Sequence, residues 1–329
     1  MKRLAISVQV LALAAALPLL AESGTQGRTT RVVTRPGSPA AAAAEALAPK
    51  ATASSYSVQV NVVTRVQGTS LFKTAIDITN NTTTGGVTAS FQYCYNTSTG
   101  FAGCTTSSTI GPLFALDNFH TDDMVQYIGS LGLIDQNAQN SSFGTLLVTF
   151  NGLPSNHGWE GTVTARTYSP VSTGTGTVAI AYPGSLFFES ASLALVGTIR
   201  DTEEHPTDAG ALRTNLGVTN TDIFGFGPVN AQITYFDVTP NSPTAGQRVG
   251  DVVNVNNLAA GEVRQFNNVF VSHHIPSGID SCIAFIDVTS AQPDPNHPAT
   301  IEGYIVILDG GTQDGAFFEM KCESGCATF

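Results

Sequence analysis

The sequence predicts an all-β protein made of two tandem β-sandwich domains. Three observations carry that reading. Apolar residues alternate with polar ones at period two through most of the chain, two consecutive strands recur with their apolar faces in phase, and helical periodicity is scarce.

The N-terminus comes first. Lys2 and Arg3 precede an apolar run from Leu4 to Leu20, and the small Ala21 stands before Glu22. A positive start, an apolar middle and a small residue at the cut predict a secretory signal peptide over 1–21. Ser7, Gln9 and Pro18 interrupt the run, which falls short of the roughly 20 apolar residues of a spanning helix. No cysteine follows the cut to carry a lipid. Residues 22–55 hold Pro36, Pro39, Pro49 and the run Ala40–Ala44, with no apolar face worth burying; a flexible, disordered linker is expected.

The first domain is expected over 56–190. Val58, Val60, Val62, Thr64 and Val66 alternate. Phe72, Thr74, Ile76 and Ile78 then share one face, with Lys73, Ala75 and Asp77 on the other. Val87, Ala89, Phe91, Tyr93 and Tyr95 share the next, and further strands are expected at 144–150, 161–168 and 177–182. One helix is expected over 122–130, with Thr121 as its cap, Asp122 and Asp123 in the first turn and Met124 facing Ile128.

The second domain, over 191–329, is read from the repeat. Thr74-Ala-Ile-Asp-Ile-Thr-Asn80 returns as Thr214-Asn-Leu-Gly-Val-Thr-Asn220, and Val87, Ala89, Phe91, Tyr93 return as Val229, Ala231, Ile233, Tyr235. Any two amphipathic strands look alike, but chance does not supply the shared Thr and Asn at the strand ends or the near-constant offset. Strands are expected near 250–255, 262–271, 281–288 and 300–308, giving about seven per domain.

These runs, with the closing Gly303-Tyr-Ile-Val-Ile-Leu-Asp309 and the following Asp314-Gly315, resemble tandem immunoglobulin-like β-sandwich modules of secreted bacterial proteins of unknown function. The resemblance spans about Val58 to Phe318. It implies an immunoglobulin-like fold for each domain and no particular chemistry.

Composition narrows the function. Charged residues make up only 12% of the chain, and Thr, Ser, Asn and Gly fill the polar positions, as on an extracellular β-protein. From Tyr56 onward there are 8 basic and 23 acidic residues, a net of −15. That balance argues against nucleic acid, whose phosphates require clustered Lys and Arg. No segment after the signal is apolar for long enough to span a bilayer. The cysteines Cys94, Cys104, Cys282, Cys322 and Cys326 are disulfide candidates in an oxidising compartment. Cys94 and Cys104 flank a glycine-containing turn and form the natural local pair. Cys282–Cys322 and Cys322–Cys326 both remain open, and one thiol is left over in any scheme.

Catalytic signatures are missing: there is no HExxH, GxSxG or P-loop pattern. Asp122 with Asp123, or Glu160 with Asp135, offers the acid pair a glycosidase needs, although solvated acids are the commoner case. His273 and His274 are neighbours at an expected strand end, so they point to opposite faces and read as exposed side chains. Glu203, Glu204 and His205 read as a solvated turn. Lys73 and Asp77 share a face and suggest an exposed ion pair. Calcium is the one cofactor with candidates, the loop acids Asp287, Asp294, Asp309 and Asp314. Trp159, the only Trp, is the candidate for stacking on a sugar, against the commoner role of core packing.

The expectation is therefore a secreted, non-catalytic structural or adhesive protein of the cell surface, self-associating or binding other surface proteins or polysaccharide. A carbohydrate-binding sandwich is the alternative, and a carboxylate-dependent glycoside hydrolase the most distant one.

Overall fold

A computed structural model describes residues 54–67, 70–154, 160–170, 176–184, 190–201, 211–221, 227–290, 300–310, 312 and 314–326. The expected signal peptide, nearly all of the linker, Trp159, Glu203, Glu204, His205 and Asp294 lie outside them. The chain is all-β, in two nine-stranded antiparallel sheets. The first contains β1 (Ser54–Gln67), β2 (Leu71–Asn80), β3 (Val87–Thr97), β4 (Gly100–Cys104), β5 (Ser108–Leu113), β6 (Asn118–Thr121), β7 (Ser141–Leu153), β8 (Gly161–Pro170) and β9 (Thr177–Pro183). The second contains β10 (Ala191–Arg200), β11 (Leu212–Asn220), β12 (Val229–Asp237), β13 (Arg248–Leu258), β14 (Val263–Phe266), β15 (Ser281–Val288), β16 (Ile301–Asp309), β17 (Gly315–Glu319) and β18 (Lys321–Cys326).

Each sheet folds over on itself into a sandwich-like unit. In the first, β4-β3-β7-β1 form one layer and β6-β2-β8-β9 the other, joined where β1 meets β2 over only three residue pairs. A register shift between Val60 and Val63 bends β1 at this corner. The alternation then puts Phe91, Tyr93, Val148 and Phe150 against Ile76, Ile78 and Val163. The second unit repeats the order, with β13-β12-β15-β10 over β14-β11-β16-β17, and β18 adds to β10. The two recurring strands therefore hold equivalent places.

The repeated Thr and Asn are hydrogen-bond pins. Thr74 and Thr214, both fully buried, accept from the backbone N–H of Thr64 and Arg200 on the preceding strand. Asn80 Nδ2 donates to the carbonyls of Thr84 and Phe114 at 2.9 Å, and Asn220 Nδ2 donates to those of Gly227 and Leu258. Even the neighbours match: Asp117 accepts from Phe114 N and Glu262 accepts from Ala259 N, three residues back in each case. Buried carbonyls need such donors where a strand ends and its ladder stops.

Several expectations change. Helix α1 spans Met124–Ser130 and its cap is Asp123, whose carboxylate accepts from Gln126 N at 3.0 Å. Asp123 also holds Arg65 at 2.8 Å, so the first turn contains no acid. Met124 and Ile128 are buried as the spacing predicts. The strand expected over 262–271 ends at Phe266, and a helical turn, α2 (Val269–Ser272), follows. Phe72 shares the parity of Thr74, Ile76 and Ile78 but is not buried: it is 38% exposed, at the hairpin end of β2. The short strands β4, β5 and β6 carry no long alternation and raise the first unit's count to nine.

The units pack face to face. Along β16 every residue from Ile301 to Val306 is buried. Ile301 and Ile305 enter the second unit's core, while Tyr304, Val306 and Leu308 join the first unit's. Tyr304 packs with Tyr182 of β9 and Phe317 of β17 at ring distances of 6.4 and 5.8 Å, and Tyr182 meets Phe317 at 5.0 Å. Thr145 Oγ1 donates to Gly261 O and Asn96 Nδ2 to Val263 O, both at 2.9 Å.

Replacing Asn80 or Asn220 by Ala removes a donor from two carbonyls that are partly or fully buried. Each change is expected to cost about 1–3 kcal/mol in urea-induced unfolding. A midpoint unmoved in both variants contradicts the pinning role.

Candidate functional site

The residues singled out in the sequence do not converge. Asp123 is committed to Arg65 and the α1 cap, whereas Asp122 is exposed and meets His120 Nε2 at 3.1 Å. Glu160 adjoins Tyr56 at one end of the first unit, while Asp135 lies near Tyr95 at the other and accepts from Ala138 N. Tyr56 pairs with Phe150 and Tyr95 with Gly144, six residues apart along β7 and on the order of 20 Å. Neither acid pair forms a glycosidase site.

Among the calcium candidates, Asp309 accepts from Thr312 N at 2.7 Å and Asp314 O accepts from Asp309 N, closing the β16–β17 turn. Asp287 lies away from them on β15, where burial and the nearby Glu323 raise its pKa. No group of three or more His, Cys, Asp or Glu side chains suited to a metal occurs among the described residues.

Lys73 does not pair with Asp77. Its ammonium lies 5.2 Å from the Tyr168 ring centroid, with Arg166 on the same ring. Asp77 instead accepts from Asn118 and holds His120 Nδ1 at 2.9 Å. Burial lowers the His120 pKa, but its two carboxylate neighbours outweigh that and raise it.

The cysteines resolve the open pairing. Cys94 joins Cys104, its direct partner across β3 and β4, and Cys322 joins Cys326 within β18. Cys282 is the buried thiol left over, and desolvation pushes its pKa up to about 12. The Cys94–Cys104 bridge faces the second unit. Gly261, at φ +75°, lies against it so closely that a Cβ would overlap Cys94 Sγ.

His273 overturns its exposed reading. It follows α2, is 5% exposed, and places Nδ1 2.6 Å from the Tyr235 hydroxyl, with the Phe266 ring edge-on at 5.2 Å. Only His274 is exposed, paired with Asp251 at 2.6 Å. Desolvation lowers the His273 pKa, against an opposing pull from Asp251 and with help from His274.

What the sequence did not announce is a cleft of about 500 Å³ at the margin of the interface between the two units. Val66, Phe72, Phe143 and Ile180 of the first unit form an apolar wall. Arg213, Asn215, Gln265 and Asn267 of the second form a polar one. Gln265 is positioned by Tyr304, whose ring lies across Gly217, where any Cβ would overlap it, and whose hydroxyl reaches Gln265 Oε1 at 2.9 Å. The local cue was the outward parity of Arg213 and Asn215 on β11; their partners come from a different unit.

No known protein-family model matches the chain, and no curated protein matches it in sequence.

His273 yields a pH dependence. Its folded pKa lies below the unfolded value of about 6.5, so the unfolded chain takes up the proton first. Its contribution is complete above that value and is lost as pH falls through it. Wild-type unfolding free energy is expected to fall between about pH 7 and 5, and His273→Gln to flatten that fall, whereas Tyr235→Phe, which keeps the imidazole, retains it. Parallel curves for wild type and His273→Gln remove His273 as the cause.

Proposed function

We propose that this chain is a secreted, non-catalytic structural or adhesive protein of the cell exterior. The observation that carries the reading is the face-to-face stack, in which a buried aromatic and amide interface fuses two sandwich-like units into one body. Such a body suits bearing and transmitting load, because separating its parts requires exposing Tyr182, Tyr304 and Phe317 together. The two disulfides are compatible with an oxidising exterior. No helix among the described residues is long and apolar enough to cross a membrane.

The acidic body and the weakly basic segment 22–53 suggest how copies associate. Thr29-Thr-Arg-Val-Val-Thr34 has the alternation of a strand and a positive charge, and it can add to an open sheet edge of a neighbouring, acidic copy. Removing residues 22–53 is expected to abolish concentration-dependent assembly in multi-angle light scattering while leaving the thermal transition in place. Assembly that persists unchanged in the truncated chain rules out this mode. A polysaccharide pull-down with the intact chain separates adhesion to glycan from adhesion to protein.

A further inference from the structure

The outward side of the layer β13-β12-β15-β10 carries an apolar patch that belongs to neither core. Cys282, Ala284 and Ile286 fill the second unit's core, so parity turns Ile283, Phe285 and Asp287 of β15 outward. On the neighbouring strands Ile283 pairs with Phe236 and Phe285 with Val196, and the rings of Phe236 and Phe285 meet edge-to-face at 5.6 Å. All four apolar residues are half-buried. Charge is divided between the two ends of this face. Arg200, opposite Ser281, and Arg248, opposite Phe236, stand at one end. Asp287 stands at the other, with the like charge of Glu323 acting on it. None of these four side chains has a hydrogen-bond or ion-pair partner among the described residues. The charges around them are engaged or turned away: Lys321, beside Val196, has a partner, Asp251 is held by His274, and Asp280 precedes β15 with the opposite parity.

The matching layer of the first unit, β4-β3-β7-β1, uses its outward side for docking: Asn96, Thr145 and Gln59 reach the second unit from it. In the second unit that side is apolar at its centre, positive at one end and negative at the other. Such a pattern is complementary to itself when turned end for end. We infer that this face pairs with the same face of a second copy, about a twofold axis that runs in the contact plane across the strands. Val196, Phe236, Ile283 and Phe285 of the two copies then cover one another, and Arg200 of each lies over the Asp287 and Glu323 carboxylates of the other. Removing the apolar side chains from water drives the pairing, and the charges fix its direction. An axis along the strands would instead set arginine against arginine and acid against acid. An isologous contact of this kind closes at two copies. The inference rests on the self-association proposed above and adds a second contact to it: the face makes the dimer, and residues 22–53 link dimers. Removing those residues then leaves a dimer of fixed mass and abolishes only the growth with concentration.

The test is the mass of the chain beginning at Glu22, followed by light scattering on dilution until it reaches a plateau. Wild type is expected to settle at two copies. Arg200→Glu sets a carboxylate against carboxylates, and Asp287→Lys combined with Glu323→Lys sets lysines against an arginine. Each variant alone is expected to settle at one copy. The three positions are exposed or half-buried on the outward face, so the fold is kept, and an unchanged thermal transition verifies this. Mixed in equal amounts, the two variants are expected to recover the two-copy mass, because both ends of the contact then join opposite charges. The inference is overturned by a wild-type plateau at one copy, by reversed variants that remain at two, or by a mixture that stays at one. Strand addition by residues 22–53 is judged separately, by the growth above the plateau and its loss on truncation.

Discussion

Strand β16 is covered on both faces, and the organisation of the molecule follows from that. A strand in an ordinary two-layer sandwich buries one face and offers the other to water, which yields clean alternation. Ile301-Glu-Gly-Tyr-Ile-Val306 has no exposed residue. One parity fills the second unit's own core, and the other, through Tyr304, Val306 and Leu308, completes the first unit's. Burying the outward parity of β16 requires a partner surface. The outward parity of β1 supplies it, with Gln59 and Asn61 buried and Gln59 within 3.4 Å of Glu302. The result is a stack in place of two beads on a string, and the cleft is the margin where the two faces diverge.

The inward faces were legible in the sequence because period two is a local property. Ile76, Ile78, Phe91 and Tyr93 lie where parity puts them, and so do Leu216, Val218, Ile233 and Tyr235. The repeat was legible for a physical reason too: Thr and Asn recur where the fold needs a side chain to satisfy backbone groups, at the corner between layers and at the strand end. Phe72 broke the parity argument because β2 has run past the core at its hairpin end, where an inward-pointing residue meets only the cleft. His273 broke it because α2 replaces the strand and rotates the residue inward between Tyr235 and Phe266. The cap of α1 moved to Asp123 because Arg65, distant in sequence, holds that carboxylate in place.

The cleft was illegible for a different reason. Its walls come from two units, and no window of sequence contains both. Arg213 and Asn215 showed outward parity, but outward residues usually meet water. Only the docking of β16 makes that face an interior margin, and only Tyr304, lying across Gly217, turns Gln265 into part of an ordered amide chain.

The repeated units also show how one architecture solves the same problem with different chemistry. The hairpin β3–β4 is closed by the Cys94–Cys104 bridge, and its counterpart β12–β13 by Asp237, a fully buried carboxylate. Burial alone would raise the Asp237 pKa, but donation from the Ser242 and Thr244 hydroxyls and the Thr239 amide outweighs it, holding the group down at about 2. That clasp is complete above the ordinary carboxylate value and loosens only as pH falls towards 2, whereas the disulfide is indifferent to acid and open to reductants. Their placement accounts for the division. The carboxylate closes a hairpin whose residues, from Asn241 to Arg248, are mostly exposed, and there a polar loop with hydroxyl side chains costs nothing in packing. The hairpin of the first unit instead abuts Gly261 of the second, and a pair of sulfur atoms gives it a small apolar surface with few hydrogen-bonding demands. A cluster like that around Asp237 would bring a charge and several hydroxyls into that contact, and each would need a partner at the point where the two units touch.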